Sequence, residues 1–253
     1  MQSPGVAELS NRQVHLWLVR LEASEDNFAR ALSLLSPEET ARAERFHFDR
    51  HRRAFVLGRA ALRALLASYL RVEPREVGFA YGPQGKPTLA DPECSLRFNV
   101  SNSGNLAACA FTSGCEIGVD VEQHRALHDM EHIAHRFFSP EEAAELLELR
   151  AAEKTAAFFH CWTRKEAYIK AMGGGLSIPL DSFRVTLQPG IAARMVSLGG
   201  SGEAARGWTL HDFDPAPDYE GAIAYPGQQR SVVYGDPARP IVAADDLLGS
   251  LSG

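Results

Sequence analysis

The chain is 253 residues long and 45% apolar, enough to fill the core of one large domain or of two smaller ones. A formal net charge of −6 argues against a general nucleic-acid binder. No stretch approaches the roughly 18 to 20 apolar residues of a membrane span, and Met1-Gln-Ser-Pro-Gly-Val-Ala-Glu8 lacks the basic and apolar regions of a signal peptide, so a cytoplasmic protein is expected.

Val14 to Val19 alternates and is rich in β-formers, which predicts a first strand. Leu34-Leu-Ser36-Pro-Glu-Glu39 then opens a helix: Ser36 suits the N-cap, Pro37 the first turn, and Glu39 completes a capping box. The helical pattern continues to Tyr69 with a break near Phe48-Asp49, and Pro74 ends it. Within it Arg42, Arg45, Arg50, Arg52, Arg53, Arg59 and Arg63 crowd together with His47 and His51. Such a cluster on an acidic protein suits a compact polyanion. It equally suits a solvated helix face paired with Glu38, Glu39, Glu44 and Asp49.

Tyr81 to Pro87 is turn-rich, and Lys86 stands between Gly85 and Pro87, which hold an exposed loop in a fixed shape. An ordinary turn lysine and a phosphate contact are both open there. Strands are expected over Leu96 to Val100, Leu106 to Thr112 and Glu116 to Val121, with Ser113-Gly114 as a hairpin turn between the last two. Cys94, Cys109, Cys115 and Cys161 have no C-x-x-C spacing and read as reduced thiols. In Ile117 to Glu122 the period of two puts Asp120 and Glu122 on one face and Val119 and Val121 on the other. Adjacent carboxylates repel unless a cation lies between them, and a hard ion such as Mg²⁺ fits; a wet acidic face is the other reading. His124, His128, His132 and His135 fall in a polar stretch without clear ligand geometry, read as a solvated helix or loop.

Phe138-Ser139-Pro140-Glu141-Glu142 repeats the earlier cap at an offset of 103, and Ala157-Phe158 follows Ala54-Phe55 at the same offset. An internal duplication is therefore expected, with Arg63 lying opposite Glu166. Glu142 is open between a site role and an acidic first-turn residue. The helix from Phe158 turns Trp162, Ile169 and Met172 inward and places Glu166 and Lys170 on one face, and Gly173 to Gly175 stop it. Strands follow at Phe183 to Leu187, Trp208 to Phe213, Gly221 to Tyr225 and Ser231 to Tyr234. Gly190 to Gly207 and the tail after Pro237 carry no readable role.

Taken together, Gly118-Val-Asp120-Val-Glu122 and, about forty residues on, Trp162-Thr-Arg-Lys165-Glu166-Ala-Tyr-Ile-Lys170 resemble the paired signature of 4′-phosphopantetheinyl transferases of the surfactin-synthetase-activating type. Gly85-Lys86-Pro87, Phe98-Asn99-Val-Ser101-Asn102-Ser103 and Gly175 to Phe183 agree, and the resemblance runs from about Ser36 to Phe183. It implies an α+β, sandwich-like fold of two similar halves in pseudo-twofold relation with the active site in the cleft between them. On that reading residues 1–114 bind coenzyme A, and residues 115–253 bind metal and catalyse.

The implied reaction moves 4′-phosphopantetheine from coenzyme A to a serine of an apo acyl or peptidyl carrier protein, releasing 3′,5′-ADP. The resemblance assigns Mg²⁺ to Asp120, Glu122 and Glu166, and it fits the carboxylate count from the residues themselves. Glu166 is the expected base for the serine hydroxyl, and Lys170 the cation for the departing phosphate. Expected contacts to coenzyme A are Arg42, Arg50, Arg53, Lys86, Ser101, Asn102 and Lys170. Asn102 departs from the family pattern, which usually has histidine after the serine; an amide donates a hydrogen bond but carries no charge. The polar stretch Gln123 to Phe138 is the expected acceptor surface, and two fused halves make a monomer sufficient. A non-catalytic coenzyme A or nucleotide-binding module is the competing reading, which the intact Asp120, Glu122, Glu166 and Lys170 disfavour.

Overall fold

A computed structural model describes residues 8–236 and 241–249. The signal-peptide reading of residues 1–7 and the tail positions 237–240 and 250–253 lie outside the described residues. The chain begins with β1 (Gln13–Arg20), α1 (Glu25–Leu34), α2 (Pro37–Glu44) and the long α3 (Asp49–Leu70). After a 3₁₀ turn at Pro74–Glu76 come the short β2 (Phe79–Tyr81) and β3 (Pro87–Leu89), then β4 (Leu96–Ser103) and β5 (Leu106–Ser113). The order then repeats: β6 (Gly118–Gln123), α4 (Met130–Phe137), α5 (Pro140–Glu148) and the long α6 (Ala151–Met172). A 3₁₀ turn at Leu180–Ser182, β7 (Phe183–Val185) and β8 (Met195–Leu198), α7 (Gly202–Ala205), β9 (Trp208–Phe213) and β10 (Tyr219–Pro226) complete the second round. β11 (Ser231–Tyr234), β12 (Ile241–Ala243) and α8 (Ala244–Gly249) follow.

The two rounds share topology as well as order. One sheet runs β1-β5-β4 and the other β6-β10-β9, each closed by an antiparallel hairpin and covered by its own long helix. Alternate residues of β1 and β5, such as Trp17, Val19, Cys109 and Phe111, join α3 in one core, and Ala222 and Ala224 of β10 join α6 in a second. The opposite faces meet in a third core containing Leu16, Leu18, Ala108, Ala110, Val119, Val121 and Ile223. Period-two alternation thus gives each strand one face for its own helix and one for the other half.

Five expectations need correction. Ser113-Gly114 is not a hairpin: β5 pairs with β1 and β4, whereas β6 leaves for the second sheet beside β10. Met172 is 51% exposed, because α6 ends there, capped by Gly173 at φ 71°. The segments without a readable role build β8 and α7 in one case and β12 and α8 in the other. β11 and β12 lie parallel to β1, so a single cut at 114/115 leaves the first sheet without two of its strands.

The fifth correction concerns the duplication. Both caps are capping boxes, and Glu39 and Glu142 are buried. However, α3 and α6 begin at 49 and 151 and both end on left-handed caps, Arg71 and Gly173, an offset of 102. Arg63 therefore stands opposite Lys165, not Glu166. Each is a buried cation bonded to the glutamate of its own cap and to two carbonyls beside the following 3₁₀ turn: Pro74 and Val77 for Arg63, Leu180 and Phe183 for Lys165.

Gly118 sets how closely α6 approaches β6. A Cβ there would sit 1.9 Å from the Ala167 carbonyl oxygen and 2.4 Å from the Ala171 nitrogen. Gly118→Ala must push strand and helix apart, at a cost of about 3 kcal/mol or more. Thermal unfolding should show the loss, and an unchanged midpoint would contradict the close-packing account.

Candidate active site

The edge of the first sheet meets the edge of the second where β4 runs beside β6. Asn99, Ser101 and Ser103 alternate along β4 and face β6: Asn99 Oδ1 accepts from the Val119 N–H at 2.9 Å, Ser101 Oγ donates to Asp120 at 2.9 Å, and Ser103 Oγ donates to Glu122 at 2.8 Å. On α6, Lys170 Nζ donates to the same Asp120 oxygen at 2.6 Å and to Ser101 Oγ at 2.9 Å. Ser101, Asp120, Glu122, Glu166 and Lys170 are thereby drawn to one place from three elements and both halves. Ser103 belongs with them; the sequence places it in the Phe98 to Ser103 motif without a role of its own, although its spacing of two from Ser101 puts it on the same face.

The electrostatics are those of crowded anions in a dry seam. Asp120 is 3% exposed, and burial raises its carboxyl pKa even against Lys170 and Ser101. Burial and then the Asp120 charge raise Glu122. Glu166 is raised by burial first and by Asp120 and Glu122 besides, with Lys170 opposing. It makes no hydrogen bond or ion pair with any described residue. The second oxygen of Asp120 is buried without a partner among the described residues. An orphaned buried oxygen and mutually repelling carboxylates form the donor set that a hard divalent cation satisfies. In the present side-chain arrangement, no three His, Cys, Asp or Glu groups among the described residues are disposed for a metal ion, and the Lys170 ammonium occupies Asp120.

The expected coenzyme A contacts separate. Arg42 lies over the Phe55 ring, and that ring lines a cleft of about 70 Å³ with Arg59, Asn102, Gly58 and Leu62. Asn102 faces this cleft from β4, away from Ser101. Arg50 lies over Phe48, and Arg53 pairs with Glu25 and packs on Phe28, so neither is drawn toward the carboxylates by any contact here. All three Lys86 protons are engaged, by Glu116 at 2.8 Å and the carbonyls of Ala171 and Ile117. That bonding ties the Gly-Lys-Pro loop to the end of α6. Glu142 is spent as well, accepting from the Ser139 and Val185 N–H groups and pairing with Lys165.

Arg59, one of the arginine cluster, also lines the Phe55 cleft. Its side chain is 9% exposed, and it shares the single buried Glu39 carboxylate with Arg63. Two guanidiniums against one carboxylate leave a positive charge uncompensated, and Arg59 Nη1 has no hydrogen-bond partner among the described residues. The spacing of four that puts Phe55 and Arg59 on one helix face was the available signal.

A fold of two repeated α+β rounds, with carboxylates and a lysine gathered at their seam, is that of a phosphopantetheinyl transferase. The profile described as "4'-phosphopantetheinyl transferase superfamily" matches residues 116–224, and that described as "4'-phosphopantetheinyl transferase, N-terminal" matches residues 20–113. The chain is 40% identical over 226 residues to the 4'-phosphopantetheinyl transferase HetI of Nostoc sp., covering 88% of this chain and 92% of that protein. Against the 4'-phosphopantetheinyl transferase Sfp of Bacillus subtilis the identity is 36% over 65% of this chain and 71% of that one. The L-aminoadipate-semialdehyde dehydrogenase-phosphopantetheinyl transferase of Homo sapiens is 26% identical over 72% of this chain and 64% of that one. The chain belongs to the 4′-phosphopantetheinyl transferase superfamily and is a transferase of that class. No helix among the described residues is long and apolar enough to cross a membrane.

Proposed function

We propose that this enzyme transfers the 4′-phosphopantetheine group of coenzyme A to a serine of an apo acyl or peptidyl carrier protein, with 3′,5′-ADP as the leaving group. The observation that carries the site assignment is the gathering of Asp120, Glu122, Glu166 and Lys170 at the seam of the two halves. Asp120, Glu122 and Glu166 would hold Mg²⁺, which when bound supplies positive charge to the pyrophosphate oxygens. Glu166, with no partner among the described residues and a raised pKa, is suited to accept the proton of the serine hydroxyl. Lys170, held 2.6 Å from Asp120, stands one turn further along α6 to meet negative charge on the departing phosphate. Ser101 fixes both Asp120 and Lys170.

The cleft of Phe55, Arg59 and Asn102, with Arg42 beside it, provides a cation and an amide for a further phosphate of coenzyme A. Arg50 and Arg53 belong to the same basic face, and Lys86 reaches a phosphate by exchanging Glu116 for it. We assign the first half the coenzyme A contacts and the second the metal and catalysis, with residues 231–234 and 241–249 structurally part of the first. Four free cysteines suit a cytoplasmic setting, and a seam complete within one chain suits a monomer.

The test is to incubate an apo carrier protein with coenzyme A and the enzyme, with Mg²⁺ or with chelator. A mass gain of one phosphopantetheine group on the carrier serine, lost in chelator, is the expected result. Undiminished transfer after Asp120, Glu122 and Glu166 are all replaced by alanine would overturn the site.

A further inference from the structure

The sheet face that carries Asp120 and Glu122 holds a fourth carboxylate. Glu220 of β10 lies directly across from Glu122 in the antiparallel register, as Ala222 lies across from Asp120. Cross-strand neighbours share a face, with Cβ atoms about 5 Å apart, and like charges so placed repel. Glu220 is 9% exposed and sits under α6, so water does not screen it. Nothing in the strand pattern alone would keep it from joining its neighbour at a cation.

Two imidazoles lie against it instead, His160 close at one oxygen and His124 further off at the other, without a hydrogen bond from its Nε2 to any described residue. His124, just past the end of β6, places Nε2 3.5 Å from one oxygen and stacks its ring on Phe159 with centroids 4.8 Å apart. His160, on α6, places Nε2 3.2 Å from the other. The remaining nitrogen of His160, Nδ1, lies 3.3 Å from the Leu187 carbonyl oxygen. A carbonyl and a carboxylate both only accept, so Nδ1 and Nε2 must each carry a proton, and His160 faces Glu220 as the imidazolium. The ring is thus fixed between β10 and the chain after β7, and it cannot swing without losing both contacts.

We propose that His160, assisted by His124, is a positioning residue that keeps Glu220 out of the divalent-cation centre, so that the ion takes Asp120, Glu122 and Glu166 alone. This rests on the metal-centre reading above. With the clamp in place, the cation keeps positions open for pyrophosphate oxygens. With the clamp removed, Glu220 turns toward Glu122 and fills one of them, giving a centre that binds the bare ion better and the substrate worse. A residue with a merely structural role would weaken metal binding, or leave it alone.

The experiment measures Mn²⁺ binding by the electron paramagnetic resonance of free Mn²⁺, without coenzyme A, for wild type, His160→Leu, Glu220→Gln and the double variant. Wild type and Glu220→Gln should bind alike, His160→Leu about tenfold tighter, and the double variant as wild type. In the transfer assay, His160→Leu should turn over more slowly, with a raised KM for coenzyme A. Mn²⁺ affinity that is unchanged or weaker in His160→Leu, or a tightening that persists in the double variant, overturns the clamp. If His160→Leu does not fold, His124→Leu with and without Glu220→Gln is read by the same criteria. A wild-type enzyme that binds no Mn²⁺ overturns the metal-centre reading itself, and that failure is seen before any variant is compared.

Discussion

Glu166→Gln is expected to be a more stable protein and a nearly dead enzyme. Burial and then the charges of Asp120 and Glu122 raise the Glu166 carboxyl above its ordinary 4.5, and no described residue bonds to it. The folded chain therefore holds this proton to higher pH than the unfolded chain does. The penalty is absent below the ordinary value, grows as pH rises through the folded value, and is complete above it. At neutral pH the neutral amide removes it, which should add a few tenths to about 1 kcal/mol and raise the unfolding midpoint by about 2 °C. The same change deletes the proposed base and one proposed metal donor, for which a loss of about 10² to 10⁴ in kcat is expected. Carrier-protein mass analysis over time and a thermal scan at pH 7 check the two halves of the claim. A variant that is slower because it is less stable would sink it.

The carboxylate repulsion also predicts a pH-dependent response to metal. Asp120 and Glu122 are raised in the same direction as Glu166, each by burial first. All three lose their protons as pH rises, so the strain a cation relieves is larger at pH 8 than at pH 5. Addition of Mg²⁺ should accordingly raise the midpoint more at pH 8. Enzymes commonly carry such destabilised sites.

Much of this arrangement could be read from local pattern. The two Ser-Pro-Glu-Glu caps specify helix starts by chemistry confined to four residues, and both form. Alternation in Gly118 to Glu122 put two carboxylates on one face, and the spacing of four put Glu166 and Lys170 on another. Those faces meet because each half has only one long helix to cover its sheet. What stayed hidden depends on long-range contact. β11 and β12 pair in parallel with β1, and parallel pairing leaves no turn signal to mark the partner. The one-residue slip between the halves arises in the links: Arg45–Phe48 separates α2 from α3, while only Leu149–Arg150 separates the longer α5 from α6. A repeat aligned on its caps therefore misplaces every residue of the long helix by one. Arg59 and the His124–Glu220–His160 clamp were silent for another reason. A charged residue on a helix or strand reads as solvated until the structure shows what covers it.

The corrected pairing of Arg63 with Lys165 yields the largest expected stability effect. Lys165 and Glu142 are each 0% exposed, with Nζ and carboxylate oxygen 2.7 Å apart. The other two ammonium protons go to the Leu180 and Phe183 carbonyls at 2.7 and 2.6 Å, so the charge is fully bonded and wholly enclosed. Lys165→Met keeps the length and apolar stem but leaves Glu142 as a buried charge without a cation. Breaking such a pair costs about 3–5 kcal/mol, where replacing both members can be nearly neutral. The midpoint should fall by about 10 °C. Arg63→Met removes the equivalent cation from the first half, yet there Arg59 remains 3.6 Å from Glu39. Its loss should be smaller by about 1–2 kcal/mol, since Glu39 keeps a partner. Both variants retain Asp120, Glu122, Glu166 and Lys170, so transfer activity per folded molecule should hold at low temperature. Urea titration of the two variants in parallel gives the comparison. If Arg63→Met proved the more damaging, the second half would not depend on its buried pair as the bonding indicates.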